Sequence, residues 1–394
     1  MSYQQGQFTG LITVTTLSKL LLNTSRRLIY PFAPEIARGL DVSHSAVTSV
    51  IAVNQATGIL GPVCASFADR YGYRLFMLAA LAMLTIAGFI LGMIPIYSVF
   101  IISSFLTGFA KSIFDTSLQA YIGNVVRFEN RGKIIGITEL SWAGSTLLGI
   151  PLTGLVIERF SWQTPFFIIG GLSLACLLLL LIVMPKIHPV RKSREKNRLS
   201  LAASWKKILK NREVLAILGF AFFVSLANDN LFVVYGIWLE QTYQLSLVSI
   251  GLGTILIGLA ELLGEGFTAA YSDRLGLKRT IIIGTLLCTT FYFILPLADI
   301  GVGPVLTGLF LIFFTFEFAM VTTMSLATEL VPELRASTMS AFYAVAGIGR
   351  VIGAFSGGLL WDQSGILSVS LFSGGCMILS LACFALGFFQ ARNV

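Results

Sequence analysis

The chain has 394 residues, of which 56% are hydrophobic and only 12% charged, with a mean hydropathy of +0.85. This composition excludes an ordinary water-soluble globule. The formal net charge of +8 would suit a nucleic-acid partner, but the placement of the bases makes it a topology signal and implies no nucleic acid.

Apolar stretches of about 20 residues, the length of a bilayer-spanning helix, recur along nearly the whole chain. Twelve are predicted, at residues 8–37, 45–68, 75–94, 98–125, 132–157, 164–184, 214–239, 247–271, 279–297, 304–330, 336–360 and 365–390. The expected fold class is therefore an all-α membrane protein. Two six-helix bundles, 1–185 and 214–394, flank a basic cytoplasmic linker at 186–213. Within that linker, Leu201 to Leu209 has an amphipathic pattern suited to the inner leaflet. Met1 to Thr9 lacks the basic flank of a signal peptide, so helix one is expected to be retained. Twenty of the 27 lysines and arginines fall in alternate loops and the C-terminal tail, and only Arg38 and Arg159 in the opposite loops. That asymmetry places both termini in the cytoplasm. The five cysteines all fall within spans and read as small apolar packers.

Helix one carries Lys19, Asn23, Arg26 and Tyr30 on one stripe, with Arg27 about 100° round from Arg26. Pro31 and Pro34 weaken its outer end, and Arg26 lies roughly 17 Å below that end. A charge at the centre of a span costs roughly 2.5–3.5 kcal/mol, so each needs a partner or an aqueous cavity. A charged turn, Phe67-Ala68-Asp69-Arg70-Tyr71-Gly72-Tyr73-Arg74, separates helices two and three. Helix four holds Lys111 and Asp115, four residues apart and able to pair. Helix five holds Glu139, then Gly144, Gly149, Pro151 and Gly154.

The second half echoes the first at an offset of 204 residues. The turn returns as Tyr271-Ser272-Asp273-Arg274-Leu275-Gly276-Leu277-Lys278, Arg131 matches Arg335, and Gly149 and Gly154 match Gly353 and Gly358. Helix seven carries Asn228, Asp229, Asn230 and Tyr235, and Asp229 matches Ser25, which puts it in position to face the arginines of helix one. Glu317 of helix ten and Arg350 of helix eleven are expected to pair. Glu139, with Glu261 and Glu265 of helix eight, either lines an inner vestibule or latches onto the bases of the cytoplasmic turns.

The paired turns resemble the loop between helices two and three of Major Facilitator Superfamily transporters and its echo between helices eight and nine. That family usually has Gly four residues before the Asp, where this chain has Ala65 and Ala269. Helix five resembles the Gly-Pro-rich motif of facilitator antiporters, with Ile150 in place of the Gly before Pro151 and Gly154 without a second Gly. The resemblance implies twelve helices in two pseudo-symmetric bundles, a midplane substrate site and alternating access. It makes Asp69, Arg70, Gly72, Arg74, Arg131, Asp273, Arg274, Gly276, Lys278 and Arg335 the gating set.

Four bases near the midplane, Arg26, Arg27, Lys111 and Arg350, suit an anionic group, because the planar arginine fork matches carboxylate, phosphate or sulfonate. With Asn23, Tyr30, Asn228, Asp229 and Tyr235 they form the expected substrate site. Phenylalanines such as Phe222, Phe232 and Phe313 suggest an apolar component. Asp229, Glu317, Asp115 and Glu139 are the expected proton-coupling acids. The reading is proton-coupled export of a small anionic or zwitterionic amphiphile across the inner (plasma) membrane by a monomer. Uptake of an organic anion by proton symport or exchange is the rival within transport, and a non-transporting receptor or scaffold the rival outside it. An enzyme is not expected: His44 and His188 are the only histidines, both in loops, and no metal-ligand or nucleophile constellation accompanies them. No phosphate-binding loop appears, so the proton gradient is the expected drive, with no cofactor.

Overall fold

The computed structural model describes residues 5–60, 67–68, 70–126, 128–185, 210–331 and 335–388, with the side chains of 5–7, 128–133, 269, 273 and 335–337 outside that description. Asp69, the side chains of Arg131, Asp273 and Arg335, and the amphipathic segment 201–209 therefore lie outside it. The described residues form helices and turns, with no strand among them.

Helix α1 (Gln5–Arg27) stops ten residues short of the expected end at residue 37, and the chain turns through 28–32 before α2 (Ala33–Leu40). Proline explains the stop. Pro31 has no N–H to continue the ladder, while Pro34 occupies the first turn of α2, where the missing donor is not needed. Arg26 and Arg27 thus lie in the last turn of α1, where the helix dipole favours cations.

α3 (His44–Ala56) begins at a Ser43 cap whose hydroxyl accepts from the Ala46 N–H. α4 (Tyr73–Met93), α5 (Tyr97–Val125), α6 (Phe128–Gly144), α7 (Ile150–Arg159) and α8 (Thr164–Val183) follow. Between α6 and α7 the chain widens into a π turn, Ser145–Gly149. Pro151 forces this, since its ring clashes with the carbonyl four residues back and a regular turn has no room for it.

The span predicted at 214–239 is also broken. α9 (Arg212–Phe232) ends in a turn at 233–234, and α10 (Tyr235–Tyr243) resumes. No proline marks this place. Instead Asp299 anchors α10 from outside, its Oδ1 accepting from Trp238 Nε1 at 3.3 Å and from the Tyr243 hydroxyl. α11 (Leu247–Leu275), α12 (Leu277–Ile294), α13 (Val302–Leu330) and α14 (Arg335–Phe388) complete the chain. α14 holds the last two predicted spans, interrupted by non-helical backbone at Ser364 and Gly365.

Nine helices among the described residues are long and apolar enough to cross a membrane. One of them, Thr338–Phe388, contains the interruption at 364–365, and the more polar α1–α2 and α3 stretches account for two further spans, which is consistent with twelve.

Both charged turns take the conformation their glycine suggests. Gly72 (φ 102°) and Gly276 (φ 83°) cap α4 and α12 from the left-handed region. A Cβ on Gly276 meets open space, so Gly276→Ala isolates the backbone strain, about 1–2 kcal/mol. Thermal unfolding in detergent is expected to show a fall of several degrees.

The chain divides into two compact units, Met1–Arg191 with Leu245–Ile255, and Lys192–Gln244 with Leu256–Val394. The start of α11 therefore groups with the first unit. Close backbone contact explains it. A Cβ on Gly154 would lie 2.8 Å from the Leu247 carbonyl oxygen, and one on Gly251 3.3 Å from Pro151 Cα. The Val248 N–H also donates to Glu158 Oε2 at 3.1 Å. The Gly-Pro residues of helix five are thus a docking groove for this segment.

Candidate functional site

In the first unit the charges of helix one find partners on three other helices. Lys19, only 3% exposed, donates to Glu139 Oε1 of α6 at 2.6 Å and lies 3.8 Å from Asp115 Oδ1 of α5. Lys111 pairs with Asp115 Oδ2 at 2.6 Å, as the spacing of four predicted. Asp115 therefore serves two lysines. Glu139, expected in a vestibule or on the turn bases, reaches Lys19 instead, because α1 and α6 pack side by side.

Above these pairs, Asn23 donates to Ser141 Oγ at 3.2 Å, and its amide oxygen has no hydrogen-bond partner. Arg26 donates to Gln55 Oε1 of α3, and Gln55 Nε2 donates to the buried Tyr30 hydroxyl at 2.6 Å. The Arg27 guanidinium stands 4.4 Å from the ring centroid of Trp142 on α6, and Lys111 Nζ 5.7 Å from the same ring. Lys19, Lys111, Asp115 and Glu139 thus form one ion-pair cluster, with Arg27 and Lys111 both beside the Trp142 ring, while Asn23–Ser141 and Arg26–Gln55–Tyr30 are separate hydrogen-bonded sets.

The second unit holds a sparser arrangement. Asp229 on α9 is buried, and Arg350 on α14 approaches it with Nε 3.7 Å from Oδ2. The sequence paired Arg350 with Glu317 and aimed Asp229 at the arginines of helix one; within its own unit Asp229 has Arg350. Glu317 packs on the face of α11, where a Cβ on Gly264 would lie 2.9 Å from its own Cβ. Asn230 is fully buried, donating to Val369 O and Ser373 Oγ and accepting from Ser356 Oγ, which makes it a brace between α9 and α14. Asn228 is buried with its amide oxygen unpartnered. Tyr235, also buried, stacks on Phe232 with centroids 5.4 Å apart.

Among the gating set, Arg74 donates to the Leu181 carbonyl at 2.6 Å and so caps the C-terminal end of α8. The Arg70 guanidinium lies 5.4 Å from the Tyr71 ring, Lys278 Nζ lies 4.5 Å from the Phe388 ring, and Arg274 is exposed. Among the described residues no group of three His, Cys, Asp or Glu forms a metal-binding set.

Two groups of partly buried charges inside apolar helical bundles fit a solute carrier, and the comparisons name the family. The Major Facilitator Superfamily model matches residues 15–227 and 217–393. The chain belongs to this superfamily. The MFS-type transporter YceJ of Bacillus subtilis (strain 168) is 28% identical over 349 residues, covering 87% of each chain. The protein named multi-drug resistance efflux pump PmrA homolog, from Lactococcus lactis subsp. lactis (strain IL1403), is 25% identical over 91% of each. Among solved structures, a bacterial homolog to the human lysosomal transporter Spinster, inward-facing and unoccupied, aligns with a TM-score of 0.81 at 12% identity, over 99% of this chain and 98% of that one. The chain is thus a multi-pass membrane transporter of the MFS fold.

Sequence reasoning missed Gln55, Ser141, Trp142, Ser356 and Ser373. Gln55 left a readable signal, a long amide inside an otherwise apolar span. The small hydroxyl residues left none, since serine is common at helix–helix contacts in membranes.

Proposed function

We propose that this superfamily member exports small organic anions or zwitterions with an apolar part, in exchange for protons, across the plasma membrane with both termini cytoplasmic. The observation that carries the reading is the charge of the first unit's spans. Lys19, Arg26, Arg27 and Lys111 are four bases within these helices, against the two acids Asp115 and Glu139 that meet the lysines. A set of bases within the spans suits an anionic group and disfavours a purely cationic substrate. Relatives named as multi-drug efflux pumps support the outward direction.

Proton exchange is assigned to Asp229. Its 3.7 Å separation from Arg350 is longer than a hydrogen bond, so the pair can open without breaking one. In an exporter, proton and substrate compete, so substrate affinity falls as pH falls. The test uses everted membrane vesicles and a fluorescent aromatic sulfonate. An acid-inside gradient is expected to drive accumulation, and nigericin to abolish it. Arg27→Ala is expected to lose most of that accumulation, whereas Arg27→Lys, which keeps the charge without the fork, retains part. Accumulation in right-side-out vesicles under an acid-outside gradient, with tighter binding at low pH, points to symport and overturns the export reading.

A further inference from the structure

We propose that Glu139 is a subsite for the ammonium group of a zwitterionic substrate, and that Lys19 vacates it by moving to Asp115. The inference deepens the function proposed above, since it selects the zwitterions among the solutes named there, and it rests on that reading.

Glu139 is the most open member of the ion-pair cluster. Its side chain is 46% exposed, whereas that of Lys19 is buried. A carboxylate this open within a span has to face water and not lipid. A solute that reaches the cluster through that water meets Glu139 first. Among the described residues its one charged partner is Lys19, whose Nζ lies 2.6 Å from Oε1.

A buried ammonium that gives up its carboxylate needs another. One stands ready for Lys19. Asp115 Oδ1 lies 3.8 Å from Lys19 Nζ, is itself buried and accepts no hydrogen bond. Lys111 is held by the other oxygen, Oδ2, at 2.6 Å. A shift of about 1 Å by the end of Lys19 brings it to ordinary hydrogen-bond length. Lys19 can thus release Glu139 without becoming an unanswered charge, and Lys111 keeps its own oxygen.

Charge balance then selects the ligand. Lys19 and Lys111 against Asp115 and Glu139 make a neutral set. A lone ammonium at Glu139 would leave one extra positive charge within the spans, which is costly there. A zwitterion leaves the sum unchanged. Its ammonium takes the place of Lys19, and its carboxylate answers the two lysines that then share Asp115.

The test measures binding of p-(aminomethyl)benzoate, a zwitterion, to the purified full-length protein in detergent by calorimetry. Its anionic and cationic counterparts, p-toluate and benzylammonium, are the controls. The wild type is expected to bind the zwitterion about tenfold more tightly than p-toluate, the share of one charge-assisted hydrogen bond. Glu139→Gln is expected to erase that advantage. Lys19→Met removes the internal competitor for Glu139, so the advantage is expected to grow several-fold. A merely structural ion pair would leave it unmoved. Both variants keep the Lys111–Asp115 pair, which guards against loss of the fold. An advantage absent from the wild type, retained in Glu139→Gln or unmoved in Lys19→Met overturns the ammonium subsite and leaves the anion reading intact. Benzylammonium bound as tightly as the zwitterion, with no binding of p-toluate, overturns the anion reading and the choice of a zwitterion with it.

Discussion

Gly353→Val is expected to abolish transport and to lower the thermal unfolding midpoint by roughly 5 °C or more. Gly349, Gly353 and Gly357 recur every four residues along one face of α14. A Cβ at each would run into the carbonyl oxygen of Phe222, Leu226 and Asn230 in turn, which recur at the same interval on α9. At Gly353 the next atoms are Asn230 N at 3.1 Å and Asp229 Cβ at 3.2 Å. These are backbone or Cβ atoms that cannot swing aside, so the helices themselves must separate. Overpacking of this kind costs about 1–3 kcal/mol. It acts on function directly, because Asp229 and Arg350 project from the faces being pushed apart and already stand 3.7 Å from each other. Gly347→Ala is the control, on the same helix but with open space at its Cβ. Thermal unfolding in detergent and vesicle transport measure both variants. A Gly353→Val protein with the wild-type midpoint means that α9 and α14 are not held by this seam.

Asp115→Asn is expected to be the most destabilising change in the first unit. The carboxylate has Lys111 at 2.6 Å and Lys19 at 3.8 Å, and both lysines are buried. Removing its charge takes from Lys111 its carboxylate at 2.6 Å and leaves Lys19 with Glu139 as the one acid of this pair of carboxylates. Breaking a buried pair in this way costs about 3–5 kcal/mol, whereas replacing both partners by apolar residues of similar size is often neutral. The double variant Asp115→Leu with Lys111→Met is therefore expected to recover most of the lost stability. That recovery separates a structural acid from a proton carrier. If Asp115→Asn unfolds at the wild-type temperature yet loses proton-driven transport, Asp115 is a coupling residue and not a structural acid.

How much of this was legible in the sequence depends on the range of each contact. The Lys111–Asp115 pair is local to one helix turn, so spacing alone predicted it. The charged turns were equally readable, because a glycine at the corner meets a backbone need that the chain imposes on itself, and both Gly72 and Gly276 have positive φ. The stop in helix one followed from Pro31 and Pro34, although its early position after Arg27 did not.

The long-range pairings were not legible. The stripe on helix one grouped Lys19, Asn23, Arg26 and Tyr30, but the helix ends at Arg27, before Tyr30, and a stripe states which residues share a face and not what that face meets. Lys19 finds Glu139 across 120 residues of sequence, and Arg26 finds Gln55 across 29. Both depend on how each helix is rotated about its axis, which packing of small residues sets. The break between α9 and α10 had no proline to announce it, since its anchor is Asp299 on a distant turn. Composition, charge placement and the 204-residue echo determined the membrane class and the superfamily fold, because the bilayer and the positive-inside bias act on each span separately. Which base meets which acid on another helix was decided by tertiary structure, since in lipid the choice among buried partners is set by the close approach of helices.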